Sequence, residues 1–158
     1  MSEYQIIRFC APTLAGLKTA SLFCCDAPDE QSCSDSCATG TPSLARSLRM
    51  LPLRIWNGRA LIYLYRPKAL ARDLACEDAA CLLNGSGYDG TEPSGCLRCL
   101  MDRLQCQKDG FPHEIGLFLG YPPEDVRGLL KTRPELQIHR LLEGLRRRGI
   151  RARSLRKI

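Results

Sequence analysis

The sequence has little histidine, no long apolar run and a single CxxC pair. Two histidines in 158 residues leave few ligands for a histidine-rich metal centre. No window reaches about eighteen uninterrupted apolar residues, and no basic region is followed by a continuous apolar segment at the N-terminus, so we expect neither a membrane span nor a secretory signal. Ten cysteines without such a signal are typical of reduced thiols. The sequence therefore predicts a cytoplasmic protein.

Positive charge is concentrated at the C-terminal end of the chain. From Arg127 onward, eleven Lys or Arg stand against two Glu, a net +9, whereas the first 126 residues carry twelve against fifteen acidic residues, a net −3. Such asymmetry ordinarily indicates an arm that binds nucleic acid or an anionic surface. The length and the 44% hydrophobic content fit one globular domain, which we place at residues 1–130, followed by a basic tail at 131–158.

The apolar pattern predicts an α+β fold built on one hairpin. Two β-rich runs over about residues 51–65 flank Asn57-Gly58, the pair that best supplies the positive φ angles of a tight turn. We expect this small antiparallel sheet to be packed with several short helices. We expect a loop over residues 24–43. Helices are expected at 13–23, 43–50, 68–85 (one or two helices) and 95–110. A two-turn helix is expected after Pro112, another from Tyr121-Pro122-Pro123, and a last one at about 134–148 in the tail.

Four blocks of the chain are similar in order and spacing to a known family. They are CAPTLAGLKTASLF, LPLRIWNGRALIYLYRP, GCLRCLMDRL and FPHEIGLFLGYPPEDVRGLL. Over about residues 10–130 the chain resembles the bacterial family called domain of unknown function 3793, small proteins of anaerobic bacteria. The resemblance implies no established activity, and it leaves the cofactor unknown. It does imply a setting of anaerobic redox or iron metabolism, with a redox-related or iron-related protein partner.

Two residues are candidates for catalysis. Cys10 immediately precedes the helix expected at 13–23, where unpaired backbone N–H groups and the macrodipole favour a thiolate; the alternative is a small residue that fills space. His113 lies in the most specific family block, and its alternative role is a partly buried hydrogen-bonding group. The adjacent Glu114 is explained as a residue that compensates the helix dipole. The HExxH zinc signature is excluded, because Leu117 occupies the position of the second histidine.

Five residues are candidates for ligand binding. Lys18 adds positive charge to the predicted thiol if both face one cleft. Arg59 and Arg66 would complete an anion pocket by bidentate hydrogen bonding, although such arginines are more often surface residues. Glu114 and Tyr121, both in the most specific family block, complete the set.

Cys96 and Cys99, which form the CxxC pair, are candidate metal ligands together with one N-terminal cysteine pair. A zinc or iron–sulfur site usually needs two such pairs, so the alternative is that both are small buried thiols. The stretch around Gly116 and Gly120 also resembles a helix-turn-helix. The second helix of that motif would present the carboxylates of Pro-Pro-Glu-Asp to phosphates, which disfavours nucleic-acid binding.

The sequence supports two hypotheses for function and does not decide whether the protein is an enzyme. The first is a cytosolic accessory protein of anaerobic redox or iron metabolism with a site lined by thiols and arginines. The second is a non-catalytic binding or regulatory module. A bound small anion, flavin, haem or metal would favour the first hypothesis, and a stable protein partner without a ligand would favour the second.

The tail departs from the family pattern after Leu130. Members that this chain resembles continue with a segment like NCK followed by GYWKVYGDE, whereas here the chain reads KTRPELQIHRLLEGLRRRGIRARSLRKI. When the tail is back-translated and the reading frame is shifted by one base, one permitted choice of codons encodes KQGRNCKYTGYWKVYGDEAYGHEAFAR. We hypothesise that the tail arose by a frameshift near Lys131, in which case its positive charge was never selected for binding.

The coding DNA tests this hypothesis directly. We expect the shifted frame of the gene, read from about codon 131, to encode the aromatic run GYWKVYGDE. Sequencing the gene from genomic DNA checks this expectation. Codons that do not yield the aromatic run in either alternative frame would rule the frameshift out.

Overall fold

The structure, a computed structural model, describes residues 3–27, 31, 47–106 and 112–131. Within these ranges the chain forms a three-stranded antiparallel sheet and six helices, which confirms the predicted α+β class. The helix expected at 134–148 lies outside the described residues, and the division of the chain at residue 130 stays a prediction. The elements in order are α1 (Glu3–Leu14), β1 (Ala20–Asp26), β2 (Arg49–Trp56), β3 (Arg59–Tyr65), α2 (Pro67–Leu74), α3 (Glu77–Gly85), α4 (Pro93–Cys106), α5 (Ile115–Phe118) and α6 (Pro123–Lys131).

The predicted hairpin is confirmed at its turn, and the structure adds its register. Asn57 and Gly58 have φ angles of +46° and +70°, which gives the turn two consecutive positive φ values. Asparagine and glycine adopt such angles at the lowest cost, and this type of turn matches the twist of the flanking strands. The turn places Trp56 directly opposite Arg59, and the ladder continues to Arg49 opposite Tyr65 with an irregularity between Pro52 and Arg54.

The helix predicted over residues 13–23 is wrong. The helix of this region is α1, which ends at Leu14 with Pro12 inside it, and the chain turns at Gly16 with a φ of +80° before it enters β1. Leu17, which completed the helical spacing, is 85% exposed, so that spacing was coincidental. β1 pairs antiparallel with β3, which makes β3 the central strand of the order β1-β3-β2.

The strands β1 and β2 also correct the predicted loop at 24–43 and the predicted helix at 43–50. Cys24 belongs to β1, so the loop expected from this residue does not begin there, and most of residues 28–46 lie outside the described ranges. Met50 already belongs to β2, so the short helix expected at 43–50 does not extend to its predicted end.

The central strand is buried on both faces. Its five middle residues are each at most 2% exposed; they are Ala60, Leu61, Ile62, Tyr63 and Leu64. Ile62 and its neighbours on one face pack against α1, whereas Tyr63 and its neighbours on the other face pack against α2 to α6. The sheet is therefore the middle layer between α1 and the remaining helices.

The helices after the sheet follow the predictions closely, apart from one length. The expected region 68–85 forms α2 and α3. Of the predicted apolar stripe of α4, Leu97, Leu100 and Leu104 are buried and Met101 is half-buried. The helix expected after Pro112 is shorter than predicted, because α5 has only four residues. Gly120 ends this segment with a φ of +81°, and a Cβ there would lie 2.8 Å from Oγ1 of Thr19, so both the backbone and the space favour glycine.

A buried hydrogen bond ties α5 to the central strand. The hydroxyl of Tyr63, on a fully buried side chain, donates to the carbonyl oxygen of Phe118 at 2.5 Å. Because both groups are removed from water, losing one partner leaves the other unsatisfied.

We expect Tyr63→Phe to lower the free energy of unfolding by about 1 to 3 kcal/mol, since it leaves the Phe118 carbonyl without its donor. Urea denaturation of the variant and the wild type measures the difference. Tyr4→Phe is the matched control, because Tyr4 is 70% exposed and should change little. Equal stabilities for the two variants would contradict the assigned role of the bond.

Candidate functional site

Cys10 does not stand where the sequence placed it. It lies inside α1, near the C-terminal end of the helix, and its side chain is fully buried against the sheet. Burial raises the pKa of the Cys10 thiol to about 12, and a hydrogen bond with Ser21 offsets this rise only in part. The prediction that Cys10 precedes a helix is therefore wrong, and its surroundings stabilise the neutral thiol rather than a thiolate.

Arg66 holds the end of α1. Its Nε donates to the carbonyl oxygen of Thr13 at 2.9 Å, and its Nη2 donates to that of Leu14 at 2.8 Å. The last carbonyls of a helix lack partners within the helix and carry partial negative charge, so a guanidinium is well suited to cap them. These bonds give Arg66 a structural role that the sequence could not indicate.

Lys18 and Tyr121 are brought together, as members of the predicted ligand-binding set. The Nζ of Lys18 lies 5.0 Å from the centroid of the Tyr121 ring, within the range of a cation–π interaction. The pair connects the α1–β1 turn to the segment between α5 and α6. Both residues lie away from the hairpin turn, at the same end of the sheet as Arg66.

Glu114 is the centre of a buried polar cluster that the sequence did not reveal. Glu114 is only 4% exposed. Its carboxylate accepts hydrogen bonds from the Tyr88 hydroxyl at 3.0 Å and from Nη1 of Arg103 at 3.0 Å. The Cζ of Arg103 also lies 4.7 Å from the centroid of the Tyr88 ring, and the guanidinium donates to the carbonyl oxygen of Ser86. We call Tyr88, Arg103 and Glu114 the glutamate cluster.

The glutamate cluster explains part of the most specific sequence block. Glu114 immediately precedes α5, close to the predicted first turn, but its partner is a guanidinium rather than the helix dipole alone. The one sequence signal for Arg103 is that it lies in another of the four family blocks. His113 is half-buried, and its catalytic role stays a prediction.

The two cysteines of the CxxC pair differ in their surroundings. Cys96 is 1% exposed, and its Sγ donates to the carbonyl oxygen of Gly90 at 3.6 Å, whereas Cys99 is half-buried. Across the described ranges, no group of three or more His, Cys, Asp or Glu side chains could hold a metal ion. Cys33 and Cys37, which belong to the N-terminal set, lie outside those ranges, so the metal hypothesis stays a prediction.

Arg59 lies at the opposite end of the sheet, beside the hairpin turn. Its register partners are Trp56 on β2 and Asp26 on β1, and the alternation of strand side chains places Cys24 diagonally across on the same face. The guanidinium of Arg54 lies 5.2 Å from the centroid of the Trp56 ring. We call Cys24, Arg54, Trp56 and Arg59 the arginine corner.

An unsatisfied buried atom distinguishes the arginine corner. The Nε of Arg59 is removed from solvent and has no hydrogen-bond partner. Burial raises the pKa of the neighbouring Cys24 thiol, and the positive charge of Arg59 lowers it to a smaller extent. The corner therefore presents a cationic donor and a neutral thiol, a combination that suits an acceptor with negative charge.

These features define an α+β protein whose candidate site is a half-buried arginine, with one buried N–H, at one corner of its sheet. The chain belongs to the family described as "Protein of unknown function (DUF3793)", whose model matches residues 6–140. The match confirms the resemblance and extends ten residues past Leu130, into the segment assigned to the tail. A search of curated proteins and a search of solved structures gave no match. Among the described helices, none is both long and apolar enough to cross a membrane.

We expect Glu114→Gln to lower the free energy of unfolding by about 1 to 3 kcal/mol, because it leaves the partly buried guanidinium of Arg103 without its counter-charge. Urea denaturation near neutral pH measures the loss. Asp78→Asn is the matched control: its ion pair with Arg127 joins side chains that are 66% and 44% exposed, and exposed pairs contribute at most about 1 kcal/mol. A loss no larger than that of the control would show that the cluster is not a stabilising network.

Proposed function

We propose that the protein is a cytosolic accessory protein that binds an anionic ligand at the arginine corner and does not transform it. One observation carries the proposal: the Nε of Arg59 is buried without an acceptor. A guanidinium keeps its charge at any physiological pH, and an unpaired buried donor costs about 1 to 3 kcal/mol. An anion that enters the corner would supply the missing acceptor.

The state of the thiols supports binding rather than covalent chemistry. Burial raises the pKa of Cys10, Cys24 and Cys96, so all three favour the neutral form. The thiolate, rather than the thiol, is the nucleophile and the metal ligand. These cysteines are therefore suited to packing and to weak hydrogen bonding. The eight cysteines of the described ranges are all free.

The setting of anaerobic redox or iron metabolism enters the proposal through the family resemblance alone. The arginine corner adds a chemical requirement to that setting, namely an anionic ligand. It requires no bound metal and no protein partner.

A regulatory module that reads DNA is the weaker candidate. Val126 of α6 packs on Gly116 of α5, where an added Cβ would lie 2.8 Å from Cγ2 of Val126, as in a helix pair joined by a tight turn. Glycine there leaves room for the Val126 side chain. The exposed carboxylates of Glu124 and Asp125 begin α6 and would repel phosphates.

A panel of anions tests the proposal. Thermal unfolding is followed at constant ionic strength in chloride, sulfate, phosphate, acetate and benzoate, for the wild type, Arg59→Met and Arg98→Met. We expect at least one anion to raise the Tm of the wild type and of Arg98→Met relative to chloride, and not that of Arg59→Met. Arg98 is an exposed arginine of α4, and it controls for loss of charge. Equal responses of all three proteins to every anion would overturn the proposal.

The same variants also test the unsatisfied donor without any ligand. Methionine fills a similar volume and has no buried donor, so Arg59→Met should raise the free energy of unfolding in chloride by about 1 kcal/mol. Urea denaturation checks this. A clear loss of stability in Arg59→Met alone would mean that the guanidinium already has the partners it needs.

A further inference from the structure

Trp56 lies beside the unsatisfied arginine and is the one tryptophan of the sequence. The two-residue turn makes it the direct partner of Arg59, so both side chains project from the same face of the sheet. The Trp56 ring is half-buried, and Arg54 lies over it. The corner thus combines an aromatic surface with a guanidinium.

The apolar surface continues from Trp56 along the same face. Leu22, Cys24 and Leu51 are half-buried there, in contact with the edge of the main core. On the central strand, Leu61 and Tyr63 of this face are buried. Leu22 and Leu51 lie opposite Tyr63, and Cys24 lies opposite Leu61. The described helices therefore cover this face less completely at these residues of β1 and β2 than along β3.

The charges at the corner favour a ligand with a single negative charge. Asp26 and Arg54 already make further interactions of their own, whereas the buried Nε of Arg59 makes none. One guanidinium balances one negative charge, and a second charge on the ligand would have to be desolvated beside the Asp26 carboxylate without compensation. A carboxylate also fits the planar edge of a guanidinium by two parallel hydrogen bonds.

We propose that the arginine corner binds an organic monocarboxylate with an apolar or aromatic body. Arg59 holds the carboxylate, while the ring of Trp56 contacts the body of the ligand. This inference rests on the proposed function and deepens it by naming the class of ligand.

The fluorescence of Trp56 reports on the site without a label. The wild type is titrated with benzoate and cyclohexanecarboxylate, with benzamide as the neutral analogue of the same shape, and with phosphate and sulfate as inorganic anions. We expect saturable changes in Trp56 emission with both carboxylates, and at least tenfold weaker binding of benzamide, phosphate and sulfate.

Three variants assign the response to its residues. Arg59→Met and Arg59→Lys should each weaken benzoate binding at least tenfold, the second because an ammonium lacks the planar edge. Arg98→Met should bind as the wild type does. Circular dichroism and the urea midpoint establish that each variant is folded before it is titrated.

The remaining outcomes separate this inference from the proposed function. Phosphate or sulfate binding tighter than the carboxylates, with dependence on Arg59, would overturn the monocarboxylate and leave an anion site in place. Equal binding of benzoate and benzamide would show that the corner recognises the apolar body without the charge, which overturns the inference. If no anion acts through Arg59 in either assay, the inference and the proposed function both fail.

Discussion

The burial of β3 on both faces is the constraint on which the rest of the structure depends. A strand whose alternate side chains are all removed from water requires a cover on each side. α1 supplies one cover and the later helices supply the other. Tyr63 fixes the second cover through its bond to the Phe118 carbonyl. Cys10 lies within the first cover, and for this reason its thiol is shielded from water and held neutral.

The same strand begins with a polar residue, Arg59, at the edge of the sheet core. Arg59 is the first residue of β3 and projects from the face that carries Leu61 and Tyr63 farther along. Where the helical cover is complete, the polar Tyr63 hydroxyl has a partner in α5. Beside the turn, the Nε of Arg59 is also removed from solvent, but it has no acceptor. The candidate site thus lies at the edge of the core.

Local chemistry could be predicted from the sequence, and distant contacts could not. Asn57-Gly58 sets its own backbone angles, so the hairpin could be predicted from two residues. β1 was missed because leucines at helical spacing suggested a helix, and pairing with β3 overrode that local pattern. The glutamate cluster joins residues 11 and 26 positions apart in the chain. Arg66 had an identifiable charge, but the helix end that it caps had been placed elsewhere.

Arg59 differs from Arg66 and Arg103 in the hydrogen bonding of its guanidinium. Arg66 caps α1, and Arg103 binds Glu114, the Ser86 carbonyl and the Tyr88 ring, so each guanidinium is accounted for by the fold. A buried N–H without an acceptor lowers stability, and residues that do so without a structural return are typical of functional sites. Because we expect methionine to pack at this position without that cost, fold stability gives no reason for the arginine. The proposed anionic ligand would give one, by completing the hydrogen bonding of the guanidinium.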